Sequence, residues 1–187
     1  MADSLLALDT FLFRWINSAH APPLDAAMLF VTDIKRTGIL LLLVWVGLLW
    51  RGGKRGRTVA LLLIPLIALT DQLSSHLLKE LFDRVRPCEA LEGVRAIDGC
   101  RYSLSFPSSH AVNNFAAATL FALFYRGWVR WVAFGLATVV SYSRIYLGLH
   151  YPSDVVGGAI IGAGCALALV WVFHRLTRKH AAAPNEQ

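Results

Sequence analysis

The chain is a succession of apolar runs separated by short polar connections. Residues 39–50 are apolar throughout except for Gly47. That run reaches the ~20 residues a membrane-crossing helix needs if the helix starts near Asp33, with Lys35 and Arg36 at its interfacial end. Residues 58–78 form the next segment. Its first half is the purely apolar VALLLIPLIAL, and its second half carries Asp71, Gln72, Ser74, Ser75 and His76. Further runs cover 111–125, 129–142 and 155–173, bounded by charged or turn-forming strings such as RGGKRGR, YRG and YPSD. The pattern predicts an all-α, integral membrane helical bundle with five spanning helices.

Two earlier segments, 5–16 and 24–32, are apolar but short, and the string SAHAPP separates them. They predict interfacial helices or a re-entrant hairpin, with a sixth spanning element as the alternative. Asp3 and Asp9 stand where the basic start of a signal peptide would be, so no signal peptide is expected. The expected organisation is one transmembrane domain over residues 1–180 and a flexible tail over 181–187.

Composition agrees with this pattern. Of 187 residues, 56% are hydrophobic and only 16% charged, where soluble domains carry about a quarter. Mean hydropathy is +0.53. Ten Phe, six Trp and five Tyr in such a chain exclude intrinsic disorder.

The net charge of +6 acquires meaning from its distribution. Nine basic residues (Arg51, Lys54, Arg55, Arg57, Arg126, Arg130, Arg175, Arg178 and Lys179) fall on one side of the predicted bundle, with Glu186 as the sole acid there. Basic short connections mark the cytoplasmic side; the other nine basic residues fall opposite, and the tie is broken because several of those have chemical roles. The predicted amino terminus is then outside and the carboxyl terminus inside a bacterial plasma (inner) membrane. These loops meet anionic lipid headgroups rather than nucleic acid. Oligomeric state is not encoded in any readable pattern.

On the opposite side, alternating helix directions bring polar groups to one depth. The second predicted span ends in Lys79, Arg84, Arg86 and Pro87, and the third begins with Pro107, Ser108, Ser109 and His110. The fourth ends at Ser143 and Arg144, and the fifth starts near His150, Pro152 and Asp154. Lys79, Arg86 and Arg144 supply positive charge and planar donor forks that suit a tetrahedral oxyanion. The helix start at Ser108 to His110 points backbone N–H groups at the same anion. Asp154 lies four residues after His150 and is placed to hold one ring nitrogen. Two histidines allow one to attack phosphorus and the other to protonate the leaving oxygen. Phosphoryl transfer then needs positioning and charge stabilisation, with no metal or organic cofactor.

Other polar residues receive other readings. Arg84 lacks the placement of its neighbours and reads as an interfacial residue snorkelling out of the bilayer. His20, His76, His174 and His180 do not converge with the set. Asp71 lies two turns before Lys79 on roughly the same helical face, and an intramembrane acid is functional by default. It is expected to pair with a buried base or steer the pocket.

The strings KELFDRVRP (79–87), PSSH (107–110) and SRIYLGLHYPSD (143–154) together resemble the three-part signature of the type 2 phosphatidic acid phosphatase superfamily. That signature reads K-x6-RP, PSGH and SR-x5-H-x3-D. The first and third parts match at every fixed position, and Ser109 replaces the usual glycine of the second. The resemblance implies a helical membrane phosphatase with a phosphohistidine mechanism. His150 would be the nucleophile held by Asp154, and His110 the general acid. Lys79, Arg86, Ser108, Ser109 and Arg144 would hold the phosphate oxygens. The implied substrate is a lipid phosphate or polyprenyl diphosphate, undecaprenyl diphosphate first. Phosphatidic acid, phosphatidylglycerophosphate and lipid A phosphates are the alternatives. Vanadium haloperoxidases share the signature but are soluble and larger, and a lipid transporter is the rival of a different class.

Cys88 and Cys100 fall in one connection on the outward side, where the compartment permits a disulfide, and they are expected to be bridged. Cys165 reads as a small packing residue. Gly158, Ala159, Gly162 and Ala163 form a small-residue face expected to pack closely within the bundle.

Overall fold

The computed structural model describes residues 2–100 and 103–182, without the side chains of 2, 3 and 179–182. The flexible tail expected from 181 onward therefore lies almost wholly outside the described residues. The described chain is helical, with no strand among the described residues. The helices are α1 (Ala2–Ser18), α2 (Pro22–Thr32), α3 (Ile34–Arg51), α4 (Gly53–Gln72), α5 (Lys79–Phe82), α6 (Pro87–Ala90), α7 (Ser109–Phe124), α8 (Trp128–Tyr146) and α9 (Pro152–Ala182). A π-helical segment, Leu73–Leu78, joins α4 to α5. Such wide turns recur at functional sites, and this one delivers Lys79.

Each apolar run of the sequence is a helix, but the runs differ in what they can span. Two continuous stretches, Gly53–Ala90 and Pro152–Arg178, are long and apolar enough to cross a membrane among the described residues. Helix α7 has 16 residues, α3 has 18 and α8 has 19. Helix α3 buries none of its residues, and Leu40, Leu41, Leu42, Leu43 and Trp50 are exposed on it.

The core forms where α4, α7 and α9 meet, around Val59, Leu62, Leu66, Ala116, Leu120, Ala166 and Val170. Close approach of α7 and α9 depends on missing side chains. A Cβ at Gly162 would stand 2.1 Å from the Val112 carbonyl oxygen, and one at Gly158 would stand 2.9 Å from that of Ser108. The small-residue face read from the sequence is this contact, within the bundle.

The N-terminal helices lie against the end of the bundle that holds the polar helix-end strings. Helix α1 turns Asp9, Phe13 and Asn17 inward at four-residue spacing, while Leu5, Leu8, Phe11 and Trp15 face outward. Phe13 is 1% exposed and packs on Tyr151 at 5.6 Å between ring centroids. Asn17 donates to the carbonyl oxygens of Tyr146 at 2.8 Å and Arg95 at 3.0 Å. Asp25 of α2 takes an ion pair from Arg95 and a hydrogen bond from the Tyr146 hydroxyl. The loop between α6 and α7 is thus tied to α1, α2 and α8. The expected disulfide, Cys88–Cys100, ties the first part of this loop back to α6.

Candidate active site

Several of the polar helix ends lie close together. The turn from α8 to α9 returns on itself, because the Arg144 carbonyl oxygen accepts both Leu149 N–H (3.0 Å) and His150 N–H (3.3 Å). Gly148 allows this with φ +85, and a Cβ there would meet the Arg95 carbonyl oxygen at 2.7 Å. The five residues between Arg144 and His150 therefore form a loop that sets the two side chains side by side. Both are buried, at 5% and 2% exposure.

Arg86 is also buried, and its Nε and Nη2 donate to the backbone carbonyl and hydroxyl of Ser103, each at 2.7 Å. Arg144 Nη1 donates to Thr32 Oγ1 at 2.6 Å. These bonds aim each planar guanidinium fork. Lys79, half-buried at the start of α5, lies within the electrostatic reach of Arg86, Arg144 and Asp71.

Helix α7 begins at Ser109, after a cis Phe106–Pro107 bond. The Ser108 N–H donates to the Asp154 carbonyl oxygen at 3.2 Å, which locks the start of α7 to the start of α9. That amide, expected from the sequence to face an anion, is committed to the protein. The Ser108 hydroxyl is different: it is buried and has no hydrogen-bond partner among the described residues. The Ser109 hydroxyl, which replaces the usual glycine, lies 3.3 Å from Ser75 Oγ. Ser75 in turn donates weakly to Asp71 Oδ1 at 3.4 Å. Asp71 is exposed; it reaches the site through two serines and acts by its charge on the half-buried Lys79.

His150 and Asp154 face each other, with Nδ1 3.7 Å from Asp154 Oδ2. That distance is an electrostatic contact rather than a hydrogen bond. Burial, opposed in part by Asp154 and reinforced by Arg86 and Arg144, pushes the His150 imidazole down to about 4. The ring is therefore neutral near pH 7. His110, on the first turn of α7, shares a cavity of about 430 Å³ with Arg144. Leu29, Thr32, Asp33, Ile34, Lys35, Arg36 and Asp98 complete its wall.

One reading of the sequence needs correction. Arg84 does not snorkel. Its Nη1 donates to Asp154 Oδ1 at 2.6 Å and its Nη2 to Asp9 Oδ2 at 2.7 Å. The helix-end argument missed it because its two carboxylates come from α1 and α9, far away in the chain. Asp9, Ser105 and Thr32 were missed for the same reason: none lies within a helix-end string that carries obvious chemistry.

Comparison with known proteins decides what kind of site this is. The family model of the PAP2 superfamily matches residues 59–178. The chain belongs to the PAP2 superfamily. It is 33% identical to lipid A 4'-phosphatase of Bacteroides thetaiotaomicron, across 96% of this chain and 83% of that protein. It is 28% identical to undecaprenyl-diphosphatase BcrC of Bacillus subtilis, across 86% of this chain and 78% of that protein. The crystal structure of Aquifex aeolicus LpxE superposes with a TM-score of 0.75 at 30% identity, over 87% of this chain and 94% of that one. As a PAP2 protein with phosphatase relatives, the chain is a hydrolase acting on phosphate esters.

Proposed function

We propose that this PAP2 protein hydrolyses a lipid phosphate or diphosphate through a phosphohistidine at His150. The observation that carries the reading is the convergence of a buried neutral His150 with Arg86, Arg144 and Lys79 beside the cavity that His110 lines. Asp154 faces Nδ1, which leaves Nε2 to attack phosphorus. The bond from phosphorus to the lipid oxygen breaks as His110 gives that oxygen a proton. Water, activated by the His110 ring that has lost its proton, then cleaves the phosphorus–nitrogen bond. Inorganic phosphate leaves and both histidines regain their starting states. Lys79, Arg86, Arg144, the Ser108 hydroxyl and the first turn of α7 hold the three phosphate oxygens as charge spreads over them.

Undecaprenyl diphosphate is the first substrate in this reading. Its leaving group retains a phosphate, and Lys35 and Arg36 stand on the wall of the cavity that His110 also lines. Asp33 holds Arg36 at 3.2 Å. Lipid A 4'-phosphate is the second reading, favoured by similarity that extends over 96% of the chain. The same proposal includes five spans as one domain in a bacterial inner membrane, with this site outward. Cys88–Cys100 supports the outward placement, because disulfides persist in oxidising compartments.

The test is phosphate release in detergent from undecaprenyl diphosphate, lipid A, phosphatidylglycerophosphate and phosphatidic acid. His150→Ala serves as the control. A preference for undecaprenyl diphosphate supports the first reading and a preference for lipid A the second. No release from any member overturns the proposal.

A further inference from the structure

The carboxylate that faces His150 is held by more than its own loop. Asp154 is fully buried, and each of its oxygens is engaged. Oδ2 accepts from Ser105 Oγ at 2.5 Å and from Tyr151 N–H at 2.8 Å. Oδ1 accepts from Arg84 at 2.6 Å. A buried carboxylate without a cation costs several kcal/mol, so Arg84 is what allows Asp154 to stay ionised there.

Arg84 is fixed from its other side by the N-terminal helix. Asp9 Oδ2 accepts from Arg84 Nη2 at 2.7 Å and from Ser153 Oγ at 2.5 Å, while Asp9 Oδ1 accepts from Ser153 N–H at 2.9 Å. The guanidinium carbon lies over the Tyr151 ring, 4.1 Å from its centroid. Asp9 is 8% exposed although it sits in the first half of α1, where an acid has no packing reason to turn inward. One guanidinium thus bridges two carboxylates from opposite ends of the chain, and the residue beside Asp154 is pinned by the same acid.

We propose that Asp9 and Arg84 are positioning residues for the reaction, a clamp through which helix α1 fixes Asp154 against His150. Neither touches the phosphate. Arg84 sets the place and charge of Asp154, and Asp9 sets the place of Arg84 and of the first turn of α9. A lysine at position 84 keeps the charge but cannot reach both carboxylates with a fork. The inference rests on the phosphohistidine reading for its kinetic consequence and on the geometry alone for its structural one.

The full chain is purified in detergent as wild type, Asp9→Asn, Arg84→Gln, Arg84→Lys and the Asp9→Asn/Arg84→Gln double variant. Phosphate release is measured on the best lipid substrate. Displacing Asp154 by a fraction of an ångström is expected to lower kcat about 10- to 100-fold in Arg84→Gln with KM within about two-fold. Arg84→Lys recovers part of the loss. Asp9→Asn is isosteric and loses less, and in the double variant it adds nothing further, because it acts through Arg84. The ring 15N resonances of His150, assigned by their disappearance in His150→Ala, are expected to move in Asp9→Asn relative to wild type. This second readout does not depend on turnover. A silent wild type with displaced resonances counts against the phosphatase reading and leaves the clamp standing. Unchanged kcat together with superimposable His150 resonances overturns the clamp, as does a kcat loss equal to the loss of folded protein.

Discussion

Asp154 and His150 stand 3.7 Å apart, Oδ2 to Nδ1, and both side chains are buried. The carboxylate turns towards the ring while its hydrogen-bonding capacity is spent on Ser105, Tyr151 and Arg84. Its effect on His150 is therefore one of orientation and charge. Asp154→Asn keeps the shape and removes the charge, and it is expected to lower kcat about 100-fold or more. Phosphate release under saturating substrate checks this, with His150→Ala as the inactive reference. An Asp154→Asn enzyme within a factor of two of wild type would remove Asp154 from the mechanism.

The buried ring also has a pH signature. His150 is held down to about 4, against an ordinary 6.5, so the neutral nucleophile persists through mild acid and is lost only as pH falls through 4. In the unfolded chain the same imidazole takes its proton near 6.5. Between those values the unfolded state binds more protons, and stability falls as pH is lowered across that window. Titration of the His150 15N resonances in detergent should show a midpoint near 4. A midpoint at or above 6.5 would mean that the ring is solvated or paired more strongly than its surroundings imply.

Helices α7 and α9 carry His110 and Asp154, and their separation is set by glycine. At Gly162 a methyl group would stand 2.1 Å from a backbone carbonyl, which nothing flexible can relieve. Gly164, on the same helix, has nothing within 4 Å of the corresponding position. Gly162→Ala is expected to cost about 1–3 kcal/mol, the cost typical of overpacking, and to lower both melting temperature and turnover. Gly164→Ala is expected to be neutral in both. Thermal unfolding and phosphate release on the two variants make the comparison, and equal behaviour would deny the tight contact.

The loop from α6 to α7 holds Ser103, which aims Arg86, and its first part is tied back to α6 by Cys88–Cys100 across 12 positions. Replacing both cysteines with serine is expected to destabilise the protein by about 3 kcal/mol on the chain-entropy account. Substrate affinity should weaken as well, because Ser103, which holds Arg86, follows Cys100 by three residues. Melting temperature and KM of the double variant measure the two effects. Neither effect would show that the loop is held by its Asp25 and Asn17 contacts instead.

Much of this was legible in the residues themselves. The helices followed from apolar runs and turn strings, and the site followed from helix ends that alternate in direction. The glycine face and the disulfide followed from local spacing and compartment. Arg84 was misread because its neighbours in sequence say only that it lies near a helix end. Its meaning depends on Asp9, which is 75 positions away. The span count is not set by composition alone: α3, α7 and α8 are apolar, and their lengths of 18, 16 and 19 residues lie near the short limit of what a bilayer requires. The π-helical turn before Lys79 has no signal in its residues, LSSHLL, which are compatible with an ordinary helix.

The central claim is that phosphate passes through His150, and trapping tests it directly. The chain is mixed with a lipid phosphate carrying radiolabelled terminal phosphate, quenched in alkaline detergent and digested. The account predicts label that survives alkali, is lost in acid, and lies on the peptide containing His150. It also predicts no label on that peptide in His150→Ala. Steady turnover without labelled protein, or label on another peptide, would contradict it.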